Sequence, residues 1–394
     1  MKVLHVMNGP NWGGSYRFVS QLCERQRAQG VDAVVCYLEG GDAKHRVEEQ
    51  GAPLLSYDPV RTYSTKRERW ADIEKGYEKI ARDWKPDLIN SHLSLSHLLT
   101  RRILSRWEDK PKWVALIHQS WKQYGYGQDV QKHPWKKYIM MMRYGLGDAV
   151  ITSKCDRITT VSEAVRQDCL KLWMGKQRVT NVYSGIIPVS ANTMPDLRTQ
   201  WGIPKSHRVI AALGYFDPRK GFDQLIKAFL LFADRFPDVH VVIGGGDIWG
   251  DTQHRELLHS LRDSSQHADR IHILGEQPSG AAFMFNADIC AIPSIEEAFS
   301  LVVVEAMQFG KPSVVTSAGG CKDVARDNLE SLVFQSCNIP DLAAKLERLL
   351  SDPELAARLG KAAATRALTE LTLDRCARDH IKVYTEVLGE HKAK

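Results

Sequence analysis

The sequence predicts an α/β protein built from two doubly wound, parallel-sheet domains. Three observations carry this. Short apolar runs alternate with amphipathic stretches along the whole chain, and the alternation lapses once, near the middle. The length, 394 residues, also exceeds what one core organises, so two domains of roughly 150–200 residues are expected. Strand–helix alternation implies crossover connections, and crossovers with helices on both faces make the sheet parallel.

In the first half the expected strands are VLHVM (3–7), DAVVCYL (32–38), DLIN (87–90), WVALIH (113–118), RITTV (157–161) and TNVYS (180–184). Helical periods lie between them. FVSQLCERQRAQG, for example, stops at Gly30 as a C-cap glycine would stop it. From Ile187 to Pro204 the chain reads IPVSANTMPDLRTQWGIP, rich in Pro, Ser, Asn and Thr, which predicts a linker. Alternation restarts with VIAALG (209–214), HVVIGG (240–245), RIHILG (270–275), ICAIPS (289–294) and SVVTS (313–317). GFDQLIKAFLLFADRF and FSLVVVEAMQFG read as helices. The expected division is a first domain at 1–186, a linker at 187–204 and a second domain at 205–373. Residues 374–394 form a terminal helix free to cross back to the first domain. Two such domains would face a central cleft, because open α/β sheets bind ligands beyond the carboxyl ends of their strands.

Composition narrows the class. Hydrophobic content of 43% and charged content of 25% fit a soluble globular protein. No apolar run nears the ~20 residues that span a bilayer, and the opening residues read as a strand rather than a signal peptide. The eight cysteines are scattered without a CxxC pair, as expected of buried single thiols in a reducing cytoplasm. There is no DxD and no His/Cys cluster at metal-ligand spacing, so no metal is expected. Residues 1–185 hold 30 Lys and Arg against 20 Asp and Glu, while the rest holds 23 against 27. A basic first half suits an anionic partner, or a solvated basic face. No nucleic-acid motif accompanies it.

Chemistry concentrates in a few stretches. NGPNWGGS follows the first strand, but it is not GxGxxG, and Pro10 removes a backbone donor. A dinucleotide site is therefore disfavoured, although Glu39 stands about where a ribose-binding acid would. Gly13 and Gly14 would let backbone N–H groups approach an anion or sugar closely, or would simply make a tight turn. LGYFDPRKG puts Arg219 and Lys220 on a loop between strand and helix. They could meet a diphosphate, or be a solvated pair. PSIEEAFSLVVVEAM carries Glu297 on a loop and Glu305 inside an apolar helix. A carboxylate there is costly to bury without partners, and ribose hydroxyls would satisfy it.

The stretch PSIEEAFSLVVVEAMQFGKPSVVTSAGG resembles the C-terminal signature of the retaining GT-B glycosyltransferases of family 4. LGYFDPRKG, HVVIGGGD and the opening glycine pair fall where that family's other motifs fall, so the resemblance covers nearly the whole chain. It implies a GT-B fold and sugar transfer from a nucleotide-diphosphate donor, a UDP-sugar or GDP-mannose, with retention and without a metal or other cofactor. It further implies that Glu305 binds the ribose, and that Glu297, His118, Ala298, Phe299 and Ser300 lie at the donor sugar. Gly13, Gly14, Arg219, Lys220 and the backbone of Leu301 and Val302 would serve the diphosphate, and Gly275 and Glu276 the base. His118, Glu297 and Lys220 would be the catalytic set. Tyr215 stands where the family commonly has Arg, EAFS replaces EGFG, and Ser184-Gly185-Ile186-Ile187 replaces NG(V/I)D. These departures bear on donor choice.

The acceptor is expected on the first domain, which holds eight of the ten tryptophans. In HPWKKYIMMMRYGLG, Trp135, Tyr138, Ile139, Met142 and Leu146 share one helical face, with Lys136, Lys137 and Arg143 elsewhere. Residues 135–146 thus suit an anionic membrane surface, or a helix packed on the core with a solvated basic face. WKQYGYGQ reads as a mobile loop over the acceptor. The expected acceptor is a lipid-linked or phosphorylated glycan, as in bacterial surface polysaccharide or lipopolysaccharide assembly, met in the cytoplasm at the inner membrane. The rival readings are a GT-B nucleotide-sugar epimerase or hydrolase, and a non-catalytic nucleotide-sugar-binding protein.

Overall fold

A computed structural model describes residues 1–8, 14–38, 47, 49, 51–57, 65–126, 135–172, 178–247 and 250–389. The chain divides into two compact units. One comprises residues 1–125, 129–184 and 373–394, and the other 126–128 and 185–372.

The first unit is a seven-stranded parallel sheet ordered β3-β2-β1-β4-β5-β6-β7. Its strands are β1 (Lys2–Met7), β2 (Asp32–Tyr37), β3 (Leu54–Ser56), β4 (Leu88–His92), β5 (Lys112–Ile117), β6 (Arg157–Thr160) and β7 (Val179–Asn181). The central strands are buried on both faces, which is why they read as continuous apolar runs. Helices α1 (Gly14–Ala28), α2 (Lys66–Trp84), α3 (Leu93–Leu104), α4 (Lys136–Thr152) and α5 (Glu163–Lys171) connect them.

The second unit repeats the plan with six strands ordered β10-β9-β8-β11-β12-β13. They are β8 (Arg208–Leu213), β9 (Val239–Gly244), β10 (Ile271–Leu274), β11 (Ile289–Ile292), β12 (Ser313–Thr316) and β13 (Ser331–Phe334). Its helices are α6 (Phe222–Leu230), α7 (Gln253–Asp263), α8 (Gly280–Phe285), α9 (Leu301–Met307), α10 (Cys321–Val324), α11 (Ile339–Ser351) and α12 (Pro353–Glu370). Ile210, Phe222, Phe229, Val241, Phe334 and Leu346 lie within one buried cluster between sheet and helices. The stretch 187–204 packs on this unit. Val189 N–H donates to Gln308 Oε1 at 3.0 Å, and Arg198 Nη2 reaches Asp288 at 2.7 Å. Trp201 lies against Phe283.

The last helix, α13 (Leu373–Gly389), belongs to the first unit. Its buried face is Leu373, Cys376, Ala377, His380, Val383, Tyr384 and Val387, and it packs along α1. Gln29 Nε2 donates to the Asp374 carbonyl at 3.0 Å. Both orders reverse direction once, between β1 and β4 and between β8 and β11. Crevices of this kind, beyond the carboxyl ends of the strands, are the ligand sites of open parallel sheets.

Candidate active site

In the second unit the crevice lies between the loops that leave β8 and β11. The β8 loop ends in a single turn, Pro218–Lys220, capped by Asp217. The Asp217 carboxylate accepts from Arg219 N at 2.8 Å, Nε at 2.9 Å and Nη2 at 2.7 Å. Arg219 is therefore folded onto its own turn. Lys220 instead crosses to the β11 loop, where its Nζ lies 2.5 Å from Glu297 Oε2. The loops are also joined through backbone, since Ile295 N–H donates to Arg219 O at 2.7 Å. Gly221 follows at φ 65°, with the Pro293 carbonyl filling the place of a Cβ. Only glycine fits there.

The Lys220–Glu297 pair is largely withdrawn from water, with side-chain exposures of 28% and 12%. The Glu297 carbonyl accepts from Gly320 N–H at 2.7 Å. Ala298 and Ser300 are buried beside the pair, and Phe299 is half-buried. The Cys321 thiol is pushed well up by burial, then by the nearby Glu297 carboxylate, so it stays protonated and inert. Helix α9 begins at Leu301 with no side-chain cap from Ser300. Leu301 and Val302, both half-buried, form its first turn. Glu305, only 6% exposed, turns its carboxylate to the first residue of α8. A Cβ on Gly280 would overlap Glu305 Oε2, so glycine makes that approach possible, and the helix N-terminus favours the negative charge. Gly275 and Glu276 are exposed just past β10. The glycine-rich end of β9 serves packing, because a Cβ on Gly245 would strike the Gly214 carbonyl. Tyr215 is 41% exposed at the head of the β8 loop.

In the first unit, Gly13, Trp12 and Glu39 lie outside the described residues. Gly14 opens α1 with open space where a Cβ would stand. His118 follows β5 and is half-buried; its Nε2 lies 3.0 Å from His92 Nδ1, and its ring meets the edge of Phe18. Burial lowers its pKa to about 4, so the imidazole is neutral near pH 7. Leu93, next to His92, is held at φ 67°, a strained conformation for a leucine. The WKQYGY segment is anchored. Ser120 Oγ donates to Asp168 Oδ2 at 2.6 Å, Lys122 Nζ pairs with Asp168 at 2.7 Å, and Trp121 Nε1 donates to the Asp168 carbonyl at 3.3 Å. Trp121 and Lys122, the first two residues of the expected mobile loop, are thus tied to Asp168 of α5, and residues 127 and 128 lie outside the described residues. Part of the basic excess is spent internally, Arg102 and Arg106 pairing with Glu74 and Arg106 also with Glu78.

Helix α4 does not turn its apolar stripe to the core. Trp135 (67% exposed), Tyr138 (72%), Ile139 (56%), Met142 (49%), Leu146 (36%) and Val150 (60%) face outward. The apolar stripe is thus not the core face in this unit. Among the described residues no group of His, Cys, Asp and Glu is placed to hold a metal ion, and no helix is long and apolar enough to cross a membrane.

Residues 12–190 match the profile of glycosyltransferase family 4, and residues 193–366 match that of glycosyl transferases group 1. The chain belongs to the family 4 glycosyltransferases. Within that family it is 27% identical to a D-inositol 3-phosphate glycosyltransferase of Salinispora tropica over 329 residues, covering 78% of this chain and 65% of that one. The chain spans 65% or less of the length of these curated relatives. Its fold is that of Anabaena HepE, solved with UDP-glucose (TM-score 0.82, 18% identity, 98% and 100% of the two chains). It also matches WaaG, a glycosyltransferase involved in lipopolysaccharide biosynthesis (TM-score 0.71, 16% identity, 98% and 100%). Both are GT-B proteins in architecture, and the two parallel-sheet units described above are that fold.

Asp217, Gly280 and Cys321 were not singled out from sequence. Asp217 sits two residues from a singled-out arginine, a spacing that suits an N-cap on a tight turn and could have been read. Gly280 and Cys321 reach the glutamates only through the fold.

Proposed function

We propose that this glycosyltransferase moves a hexose from a nucleotide-diphosphate sugar, a UDP-sugar or GDP-mannose, to a hydroxyl of a lipid-linked or phosphorylated glycan, with retention at the anomeric carbon. The observation that carries the reading is the Lys220–Glu297 pair at the strand-order reversal of the second sheet, with Glu305 and the uncapped start of α9 close by in sequence. Lys220 is a cation held on a carboxylate that a donor's sugar hydroxyls can replace, freeing the ammonium for the diphosphate. The names of relatives support the class of substrate. One set acts on an inositol phosphate and one structure holds UDP-glucose.

The proposed chemistry follows from charge. The anomeric C–O bond to the diphosphate breaks, giving an oxocarbenium-like sugar and a nucleoside diphosphate whose terminal phosphate gains a second negative charge. Lys220 and the N–H groups of Leu301 and Val302 stabilise the departing phosphate, Arg219 adding its field from the Asp217 turn. The acceptor hydroxyl attacks from the face the diphosphate leaves, passing its proton to a phosphate oxygen. Glu297 holds the sugar hydroxyls and Glu305 the ribose. Gly275 and Glu276 are assigned to the base, Gly14 to phosphate or sugar, and His118 to the sugar being transferred. We assign the exposed stripe of α4, flanked by Lys136 and Arg143, to an anionic membrane surface at which a lipid-linked acceptor is met.

The test is a thermal-shift panel of UDP, GDP, ADP and their sugars, with and without EDTA. One nucleoside diphosphate should raise Tm by a few degrees, unchanged by EDTA and lost in Glu305→Ala. Anomeric NMR of the product then reads retention. Free sugar released at the full rate without acceptor would replace this reading with hydrolysis. No shift with any nucleotide would remove the donor assignment.

A further inference from the structure

A line of buried polar side chains crosses the first sheet, an unusual feature on strands otherwise apolar. The Gln26 carbonyl oxygen on α1 lies 2.8 Å from His5 Nε2. His5 Nδ1 lies 3.0 Å from His92 Nε2, and His92 Nδ1 lies 3.0 Å from His118 Nε2. Register explains the alignment. His5 of β1 pairs with Asn90 of β4, so His92 is two residues further along; His92 pairs with Leu116 of β5, and His118 is again two further. Side chains two apart share a face, so the three rings climb one face diagonally toward the carboxyl edge. Gln26, His5 and His92 are fully buried and His118 is half-buried.

The hydrogen-bond logic runs in one direction. Gln26 turns its amide nitrogen to the Tyr384 hydroxyl of α13, at 3.4 Å, and its carbonyl to His5. A carbonyl only accepts, so His5 Nε2 carries the proton and His5 Nδ1, in a neutral ring, must accept. His92 therefore donates from Nε2 and accepts at Nδ1, and His118 donates from Nε2. Burial keeps these rings neutral, lowering His5 and His118 to about 4 and His92 well below its usual value.

We propose that Gln26 is a positioning residue which, through His5 and His92, fixes the tautomer of His118 and leaves His118 Nδ1 as a hydrogen-bond acceptor for a substrate hydroxyl. This rests on the reading of His118 as a residue that touches substrate. The ring nitrogen opposite a fixed donor is the one available to a ligand, and the partner of the first nitrogen decides which it is. The C-terminal helix takes part because Tyr384, held by Asn90 Nδ2 at 2.5 Å as well, holds the Gln26 amide in this orientation.

The experiment is long-range proton–nitrogen NMR on the full chain labelled with 15N-histidine, with His118→Asn used to assign its signals. His118 is expected as the Nε2–H tautomer in the wild type. Gln26→Leu is expected to lose that single state, while Gln26→Glu, which keeps an oxygen acceptor, preserves it. In transfer assays Gln26→Leu should lower kcat roughly 10- to 100-fold with little change in KM, a loss no larger than the low end of what a general acid–base group supplies, and Gln26→Glu should recover most of it. A protonated Nδ1 on wild-type His118, or a His118 tautomer unchanged in folded Gln26→Leu, overturns the proposal. The wild-type spectrum is read without any substrate. A correct tautomer in a chain that transfers no sugar would therefore sink the functional reading of His118 and not the relay.

Discussion

Lys220 and Glu297 hold each other across two loops, and the two charges have different parts in binding and transfer. Removing the carboxylate releases the ammonium; removing the ammonium leaves a largely buried carboxylate alone, which costs more than the pair contributed. Glu297→Gln is therefore expected to cut kcat by about 10²-fold or more, while the affinity for nucleoside diphosphate alone holds or rises. Lys220→Ala should weaken diphosphate binding roughly tenfold and lower kcat by about 10²–10³-fold. Calorimetry with the nucleotide and steady-state rates separate the two. Equal losses of binding in both variants would show that the pair is only a strut between two loops. Glu305 stood out in sequence for a physical reason, a carboxylate inside an apolar helix, whereas Glu297, next to Glu296 on a loop, took its role from the family resemblance. Gly280 did not stand out, because its value is the atom it lacks, and only the approach of α8 to Glu305 reveals it.

At the scale of elements, strands were legible wherever both faces are buried, as in β1, β5, β9 and β11, since an apolar run survives on either face. The short edge strands β3 and β13 were not, because LLS and SLVF look like any brief apolar patch without the neighbour that pairs with them. Helix α4 was legible in period but not in orientation: one stripe serves a core or an outside surface equally well. Its outward stripe now yields a prediction. In cosedimentation with vesicles, binding should be at least tenfold tighter to phosphatidylglycerol-rich than to phosphatidylcholine membranes, given about 1 kcal/mol per basic residue near the surface. The double variant Ile139→Asp/Met142→Asp should abolish it without a fall in Tm, because both side chains are exposed. Unchanged vesicle binding in that variant would rule α4 out as the contact. A large loss of Tm would show that the stripe is packed after all.

For the whole molecule, the amphipathic period of α13 could be read from sequence but its partner could not, and that partner brings Tyr384 and His380 into the core of the first unit. The unit thereby collects five histidines whose pKa values are all lowered by burial: His5 and His118 to about 4, His97 and His380 to about 3, and His92 well down. In the unfolded chain each binds a proton near the ordinary histidine value of about 6.5. Above that pH neither state is protonated and the groups contribute no pH dependence. Below it the unfolded chain gains protons that the folded one refuses, so stability falls as pH falls, by up to about 1.4 kcal/mol per pH unit for each histidine, until the folded values are reached. Tm should therefore be level from pH 8 to 7 and drop steeply from 6.5 towards 4. His380 offers the sharpest check. Among the described residues neither of its buried ring nitrogens has a hydrogen-bond partner, and the ring lies tilted against Tyr384, centroids 5.8 Å apart. His380→Phe keeps an aromatic ring against Tyr384 and removes two unsatisfied polar atoms, so it should stabilise by about 1–3 kcal/mol at pH 7.5. The gain should widen by a further ~1 kcal/mol or more at pH 5.5, where the unfolded histidine would have been protonated. A gain that is the same at both pH values would mean that His380 takes up a proton as readily in the folded state as in the unfolded one, and a loss at both that its nitrogens are in fact satisfied.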